Sequence, residues 1–131
     1  MRRYLAAIAA LAAFTASPQL AHADRFSAGD IRSQSIGHTI YLAAPFGGEF
    51  PLNYRSNGRV DGDGEALGIG RWIQPRDTGR WWIDGNRLCQ QFQTWYNGTP
   101  MCFDLTRTST TTLNWLRDNG ESGRARIGEA L

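Results

Sequence analysis

The stretch RWWIDGNRLCQQFQTWYNGTPMCFDLT, residues 80–106, decides the fold. It divides into three candidate strands, Arg80–Asp84, Arg87–Thr94 and Met101–Thr106, separated by the turn sequences DGN and NGTP. Asn, Asp and Gly between strand-forming runs indicate hairpin turns, because these residues tolerate the left-handed backbone that such turns require. The stretch therefore predicts antiparallel strands joined by short connections.

The same pattern continues on both sides of this stretch. Turn sequences rich in Gly, Asn and Asp recur about every ten residues, at 45–48, 56–58, 61–64 and 77–79. They separate five further candidate strands: His38–Ala43, Glu49–Arg55, Arg59–Asp61, Ala66–Gln74 and Thr110–Leu116. This spacing indicates an antiparallel meander, closed into a barrel or folded into a sandwich. No helical span is long enough for the crossover that a parallel sheet needs.

One short helix is predicted ahead of the strands. Ser27 and Asp30 have the spacing of a capping box, in which each side chain bonds the backbone N–H of the other residue. The helix continues from Ile31 to about Ser35, and Gly37 is placed to end it. The expected fold is therefore all-β with one short N-terminal helix, a small antiparallel barrel.

Residues 1–23 have the layout of a cleavable signal peptide. Two arginines precede the apolar run Leu5–Phe14, which is ten residues long and too short to span a bilayer. A small-x-small site, AHA, ends at Ala23. We expect export to the periplasm or the medium of a bacterium, with cleavage after Ala23. The first cysteine is Cys89, so no lipid anchor is expected.

Cleavage would change the size and the charge of the chain. It would leave 108 residues, 24–131, as a single β-rich domain whose polar end, 120–131, is expected to fray. It would also remove two of the 14 basic residues and leave twelve against twelve acidic ones. A net charge of zero gives no electrostatic basis for binding nucleic acid. We expect a monomer whose partner is an envelope protein or a glycan, with no membrane anchor.

Cys89 and Cys102 are the only cysteines in the chain. In an oxidising compartment a disulfide between them is the expected state. A tight turn at Asn97-Gly98 would place Cys89 opposite Thr106 instead of Cys102. The bridge therefore requires either a wider loop through Thr94–Asn97 or a bulged hairpin bridged diagonally, and the sequence leaves both open.

Four aromatic residues are the candidate binding residues: Trp81, Trp82, Trp95 and Tyr96. If Arg80–Asp84 is a strand, the adjacent Trp81 and Trp82 point to opposite faces of the sheet. One of them is then expected in the core and the other outside it. An exposed aromatic ring can stack on a sugar or anchor a protein partner.

Signatures of catalysis and metal binding are absent from the sequence. There is no G-x-S-x-G, H-E-x-x-H or P-loop motif, and His38 is the only histidine after residue 23. The acidic run at 61–65 resembles a calcium loop, but Trp72 stands where an EF-hand needs its bidentate Glu. We expect no catalytic residues, no metal site and no cofactor.

The chain also resembles a known family. The motifs that carry the resemblance are Ser27 to Ile31, Gly37-His38-Thr39-Ile40-Tyr41, Tyr54 with Asn57-Gly58, Gly79-Arg80-Trp81, and Asp84 to Cys89 together with Cys102. In these motifs the chain resembles a family of small exported alphaproteobacterial proteins, the domain-of-unknown-function 995 family. The resemblance covers residues 26 to about 105 and implies a small exported β-rich domain. It implies no catalytic residue.

These observations favour a non-catalytic binding module that uses surface or pocket aromatics. The first alternative is a periplasmic inhibitor of a cell-envelope enzyme such as a lysozyme. An inhibitor would insert a polar loop into an active site, and Asp77–Gly79 and Asn97–Pro100 are the candidate loops. The second alternative is a small hydrolase that acts on glycans through a carboxylate pair.

Overall fold

The computed structural model describes residues 9–13, 24–44, 47–64 and 75–131. Helix α1 spans Ala28–Gln34, and a 3-10 turn spans Trp95–Gly98. The strands are β1 His38–Ala43, β2 Glu49–Tyr54, β3 Arg59–Asp63, β4 Arg76–Asp84, β5 Arg87–Phe92, β6 Met101–Arg107, β7 Thr112–Arg117 and β8 Ser122–Ala130.

The eight strands form a closed antiparallel barrel. Each strand pairs with the next along the chain, and β8 returns to pair with β1, where Tyr41 stands opposite Arg126. Closure gives every strand a partner on both sides, so the barrel has no open edge. The predicted antiparallel barrel with one short N-terminal helix is confirmed.

The prediction that residues 120–131 fray is wrong, because Ser122–Ala130 is strand β8. Read as a whole, this stretch is polar, but alternate residues of a strand face opposite sides of the sheet. Ala125 is in the hydrophobic core, and Ile127 packs against that core. Arg124, on the other face of the strand, is exposed. The strand that closes the barrel therefore needs few apolar residues.

Two predicted turns, 61–64 and 77–79, lie mostly inside strands instead. Gly79 is in β4, where an added Cβ would lie 2.1 Å from the carbonyl oxygen of Gln91. Gly62 is in β3, where an added Cβ would lie 2.6 Å from the Trp95 ring. A glycine inside a strand often marks a place where another group comes close to the backbone. Both of these glycines make room for such a neighbour.

The capping box at the start of α1 is confirmed. Ser27 Oγ accepts from the backbone N–H of Asp30 at 3.2 Å, and the Asp30 carboxylate accepts from the backbone N–H of Ser27 at 2.9 Å. Ile31 is fully buried, and Ala28 N–H donates to Asn86 Oδ1 at 3.0 Å. The helix therefore packs at the end of the barrel where β1 begins, which we call the helix end.

The predicted disulfide between Cys89 and Cys102 is present. The two residues stand directly opposite each other in the β5–β6 ladder. The connection between these strands is the wide loop through the 3-10 turn, so the diagonal alternative is wrong. This loop lies at the other end of the barrel, which we call the loop end.

Some predictions fall outside the described residues. One is the candidate strand Ala66–Gln74, which includes Trp72. Another is the signal peptide, of which residues 1–8 and 14–23 are outside the described part. Residues 9–13 of that segment are exposed and form neither helix nor strand. Within the part of the chain that the structure describes, no helix is long and apolar enough to cross a membrane.

Candidate functional site

A cavity of about 70 Å³ lies inside the barrel. Its apolar lining comes from β1, β2, β5, β6, β7 and β8: Ile40, Leu42, Leu52, Leu88, Met101, Phe103, Leu105, Leu113 and Ala125. These side chains are the inward half of the period-two alternation along each strand. An eight-stranded barrel is just wide enough to be filled by side chains or to hold one small ligand.

The loop end of the barrel is filled on one side by aromatic rings. The Trp95 ring contacts Phe50 and Phe92, with ring centroids 5.2 and 5.1 Å apart. The backbone N–H groups of Thr94 and Trp95 donate to the buried Asp77 carboxylate, both at 2.8 Å. Trp95 is thereby held at the start of β4, and its ring lies against Gly62 of β3.

Polar residues line the cavity at its helix end and its middle. Ser35, directly after α1, is 1% exposed and lines the cavity. The Tyr54 hydroxyl donates to Gln90 Oε1 at 2.5 Å. Burial raises the pKa of Tyr54, so this hydroxyl remains a neutral donor.

The mouth of the cavity lies at the loop end, between Tyr96, Arg117 and Glu121. Arg117 Nη1 lies 3.3 Å from Glu121 Oε2, and Arg117 Nε lies 3.9 Å from an oxygen of Asp118. The Arg117 guanidinium also lies 5.7 Å from the centre of the Tyr96 ring. Tyr96 is 52% exposed, so this side of the mouth faces solvent.

Three buried polar side-chain atoms have no hydrogen-bond partner among the described residues: Ser35 Oγ, Trp115 Nε1 and Arg117 Nε. All three residues line the cavity. We call these three atoms the cavity polar atoms. Trp115 Nε1 and Arg117 Nε can only donate hydrogen bonds, whereas Ser35 Oγ can donate or accept. Buried polar groups in proteins are almost always paired, so three atoms without a hydrogen-bond partner on residues that line one cavity are unusual.

No protein-family model, curated protein or solved structure matches this chain.

The structure separates the four aromatic residues predicted for binding. Trp81 points inward, but its Nε1 donates to the backbone carbonyl of Arg55 and the ring does not line the cavity. Trp82 points outward, with the Arg80 guanidinium 4.6 Å from its ring centre. Trp95 fills the loop end, and Tyr96 alone lines the cavity mouth.

The sequence analysis missed Ser35, Trp115 and Arg117. A signal for two of them was available, because Trp115 and Arg117 alternate with exposed residues in β7 and therefore share its inner face. The predicted strand Thr110–Leu116 ends one residue before Arg117, so the prediction did not place Arg117 on a strand face. Ser35 gave no signal, since its burial depends on how the helix packs on the barrel.

A second depression, an open groove of about 520 Å³, runs over β2, β3 and β4. Its charged side chains are already paired with one another: Arg55 Nε lies 2.6 Å from Asp61, and Arg76 Nε lies 3.3 Å from Asp63. These pairs leave the groove little charge with which to select a ligand.

Other predicted features lie away from the cavity. His38 Nδ1 is 3.3 Å from the carbonyl oxygen of Ile36, in a local contact at the start of β1. Asp77–Gly79, one candidate inhibitor loop, is inside β4, so that prediction is wrong. Among the described residues, no group of three or more His, Cys, Asp or Glu could hold a metal ion.

Proposed function

We propose that this protein is a non-catalytic binding protein that holds a small ligand, or one end of a larger one, inside its barrel. One observation carries the proposal: an apolar cavity and the cavity polar atoms occur together in the barrel interior. A core that serves stability alone is close-packed and hydrogen-bonded. Each unpaired buried polar atom costs about 1–3 kcal/mol, and a ligand with matching groups offsets that cost.

The size of the cavity limits the ligand. Its volume of about 70 Å³ is well below the roughly 300–1,000 Å³ of pockets that enclose drug-sized molecules. The ligand is therefore a small molecule, or a larger one that inserts a single group and leaves the rest at the mouth. The exposed Tyr96 ring at the mouth would contact the part that stays outside.

We place this activity in the periplasm or outside the cell. The Cys89–Cys102 disulfide supports that location, because disulfides persist in oxidising compartments. Cleavage after Ala23 and membership of the domain-of-unknown-function 995 family stay predictions from the sequence. An envelope protein or a glycan stays the predicted class of partner.

The test compares the wild-type protein with Ala125→Leu, which adds three carbons to the cavity wall on β8. Ala130→Leu is the matched control, since Ala130 lies on the same strand and is exposed. Gentle native mass spectrometry of freshly purified protein should detect a retained small molecule in the wild type and in the control. The ligand should be absent from Ala125→Leu, while circular dichroism shows that all three proteins are folded.

Two results would count against the proposal. One is wild-type protein that carries no ligand after gentle purification and captures none from a bacterial envelope extract. The other is a ligand that Ala125→Leu retains as well as wild type, since that ligand would sit outside the barrel.

The inhibitor alternative has one supporting observation. Tyr96 and Asn97 have φ values of +56° and +55°, in the left-handed region that non-glycine residues rarely adopt. Such strain is concentrated at functional sites. The exposed loop Asn97–Pro100 stays the candidate insert, and capture of a specific envelope enzyme by the wild type but not by Tyr96→Ala would favour this alternative.

The hydrolase alternative finds no support at Asp61, a carboxylate of the open groove. Burial raises the pKa of Asp61, but hydrogen bonds from Arg55 and Asn53 outweigh it and leave the pKa below its usual value. A general acid for glycoside hydrolysis needs the opposite shift. This alternative stays a prediction.

A further inference from the structure

From the cavity polar atoms we infer that the ligand has an apolar body and an uncharged hydrogen-bond acceptor, such as an ester or amide carbonyl, directed at Trp115 and Arg117. This inference rests on the proposed function, since it names the chemical class that the cavity takes.

The need for an acceptor follows from the two atoms on β7. Trp115 Nε1 and Arg117 Nε have only hydrogens to offer, and among the described residues neither has an acceptor within hydrogen-bond distance. The two residues are separated by one position in β7, so both side chains are on its inner face. A carbonyl oxygen has two lone pairs and can serve one donor or both.

The position of the Trp115 ring is fixed by β8. An added Cβ at Gly123 would lie 2.5 Å from the ring, so the indole packs directly over the backbone of this glycine. The cavity polar atoms have almost no exposed surface in this structure. A small side-chain movement, in Arg117 more than in the packed Trp115, therefore accompanies binding.

The preference for an uncharged acceptor follows from the carboxylates at the mouth. Glu121 lies 3.3 Å from Arg117 Nη1, and Asp118 lies 3.9 Å from Arg117 Nε. One guanidinium between two carboxylates has a local charge of minus one. A carboxylate ligand would meet this negative charge and would also lose its hydration inside the barrel. A neutral carbonyl takes the same hydrogen bonds without either cost.

The preference for an apolar body follows from the rest of the wall. Met101 and Leu113 are 1% and 2% exposed and have no polar side-chain group to offer. Burial of methylene groups against such a wall is favourable. Ser35 Oγ, at the helix end, would bond only a ligand long enough to reach it.

The experiment compares three probes that share a six-carbon chain: methyl hexanoate, hexanoate and hexane. Each is larger than the cavity, so each would insert one end and leave the rest at the mouth. The purified protein is labelled with ¹⁵N and with ¹³C in its methyl groups, and binding is followed by NMR. Methyl signals of Met101 and Leu113 report whether the cavity is occupied. The indole N–H signal of Trp115, assigned with Trp115→Phe, reports whether the probe supplies an acceptor.

We expect methyl hexanoate to shift both the methyl signals and the Trp115 indole signal. Hexane should shift the methyl signals alone. Hexanoate should bind roughly tenfold more weakly than the ester, and a tenfold factor corresponds to the loss of about one hydrogen bond of ordinary net strength. Trp115→Phe and Arg117→Met should each reduce the affinity for the ester toward that for hexane. Trp82→Phe and Arg124→Gln, on the outer face, are the matched controls and should leave it unchanged.

The outcomes separate the two proposals. If the ester binds no more tightly than hexane, or hexanoate binds as tightly as the ester, the inference about the acceptor is wrong and the binding function stands. If no probe shifts the methyl signals, both are wrong for this cavity. If Trp115→Phe does not fold, Arg117→Met alone decides between ester and hexane.

Discussion

At the scale of single residues, the cavity depends on a glycine as much as on the side chains that line it. Trp115 lies across β8 only because Gly123 has no side chain. The same arrangement recurs at Gly62, which makes room for the Trp95 ring. In both places a small residue on one strand fixes an aromatic ring from another part of the barrel. The space inside the barrel is therefore set by pairs of residues in different elements, eight positions apart at Trp115 and Gly123 and 33 apart at Gly62 and Trp95.

Gly123→Ala tests this dependence. The new Cβ would overlap the Trp115 ring, so the ring has to move toward the cavity. Overpacking of this kind typically lowers the free energy of unfolding by about 1–3 kcal/mol. Chemical denaturation should show that loss of stability. Gly29→Ala is the control, since its Cβ would lie 3.7 Å from the nearest atom, and it should unfold at the same or a slightly higher denaturant concentration. Equal stability of Gly123→Ala and wild type would contradict the account.

Residues of the site were harder to predict than the fold, for a physical reason. Strand alternation is local, so Leu113, Trp115 and Arg117 could be assigned to one face from the sequence alone. Whether an inner position faces filled core or empty space depends on every other strand of the barrel. The sequence therefore predicted aromatic binding residues by type, and only Tyr96 of the four lies at the cavity.

At the scale of elements, local signals and strand pairing differ in how well the sequence predicts them. The capping box of α1 was predicted from Ser27 and Asp30, because all of its atoms lie within four residues. Strand β8 was missed, because its strand state comes from pairing with β1 and β7 and not from its own composition. Its apolar contribution is limited to alternate positions such as Ala125 and Ile127.

The capping box also predicts a pH dependence. Hydrogen bonds from the backbone and side chain of Ser27 hold the pKa of Asp30 below its usual value of 3.8. A carboxyl group whose pKa is lowered by folding stabilises the protein above that usual value, and the stabilisation is lost as the pH falls through the lowered pKa. Asp30→Asn should therefore be less stable than wild type at neutral pH, and the difference should disappear in strong acid.

The measurement is denaturant unfolding of both proteins between about pH 2 and pH 7, a range in which the Asp30 carboxyl group goes from protonated to ionised. Asp84→Asn is the control, since Asp84 is an exposed carboxylate at the end of β4 and is not part of the capping box. It should differ from wild type by less than Asp30→Asn at neutral pH. A constant difference between Asp30→Asn and wild type at every pH would show that the carboxylate charge has no part in capping.

At the scale of the whole molecule, closure makes each strand pair necessary for the others. The β5–β6 ladder joins Leu88–Gln90 to Met101–Phe103 over three residues, whereas the β1–β2 ladder runs over six. The chain between β5 and β6 is also a wide loop, so this pair has little local hydrogen bonding to hold it. The Cys89–Cys102 bond lies in the middle of this short ladder. Opening there would break the barrel wall beside the cavity.

The disulfide should therefore contribute a large part of the stability of the barrel. Replacing both Cys89 and Cys102 by Ala removes the cross-link from a loop of about 14 residues, for which the chain-entropy relation gives about 3 kcal/mol. Denaturant unfolding of the wild type with reductant should match the double variant, and reductant should not affect the variant. Since small domains are stable by only about 5–15 kcal/mol, this loss should also increase cleavage by proteases. Equal unfolding of the wild type with and without reductant would show instead that closure of the barrel alone holds β5 against β6.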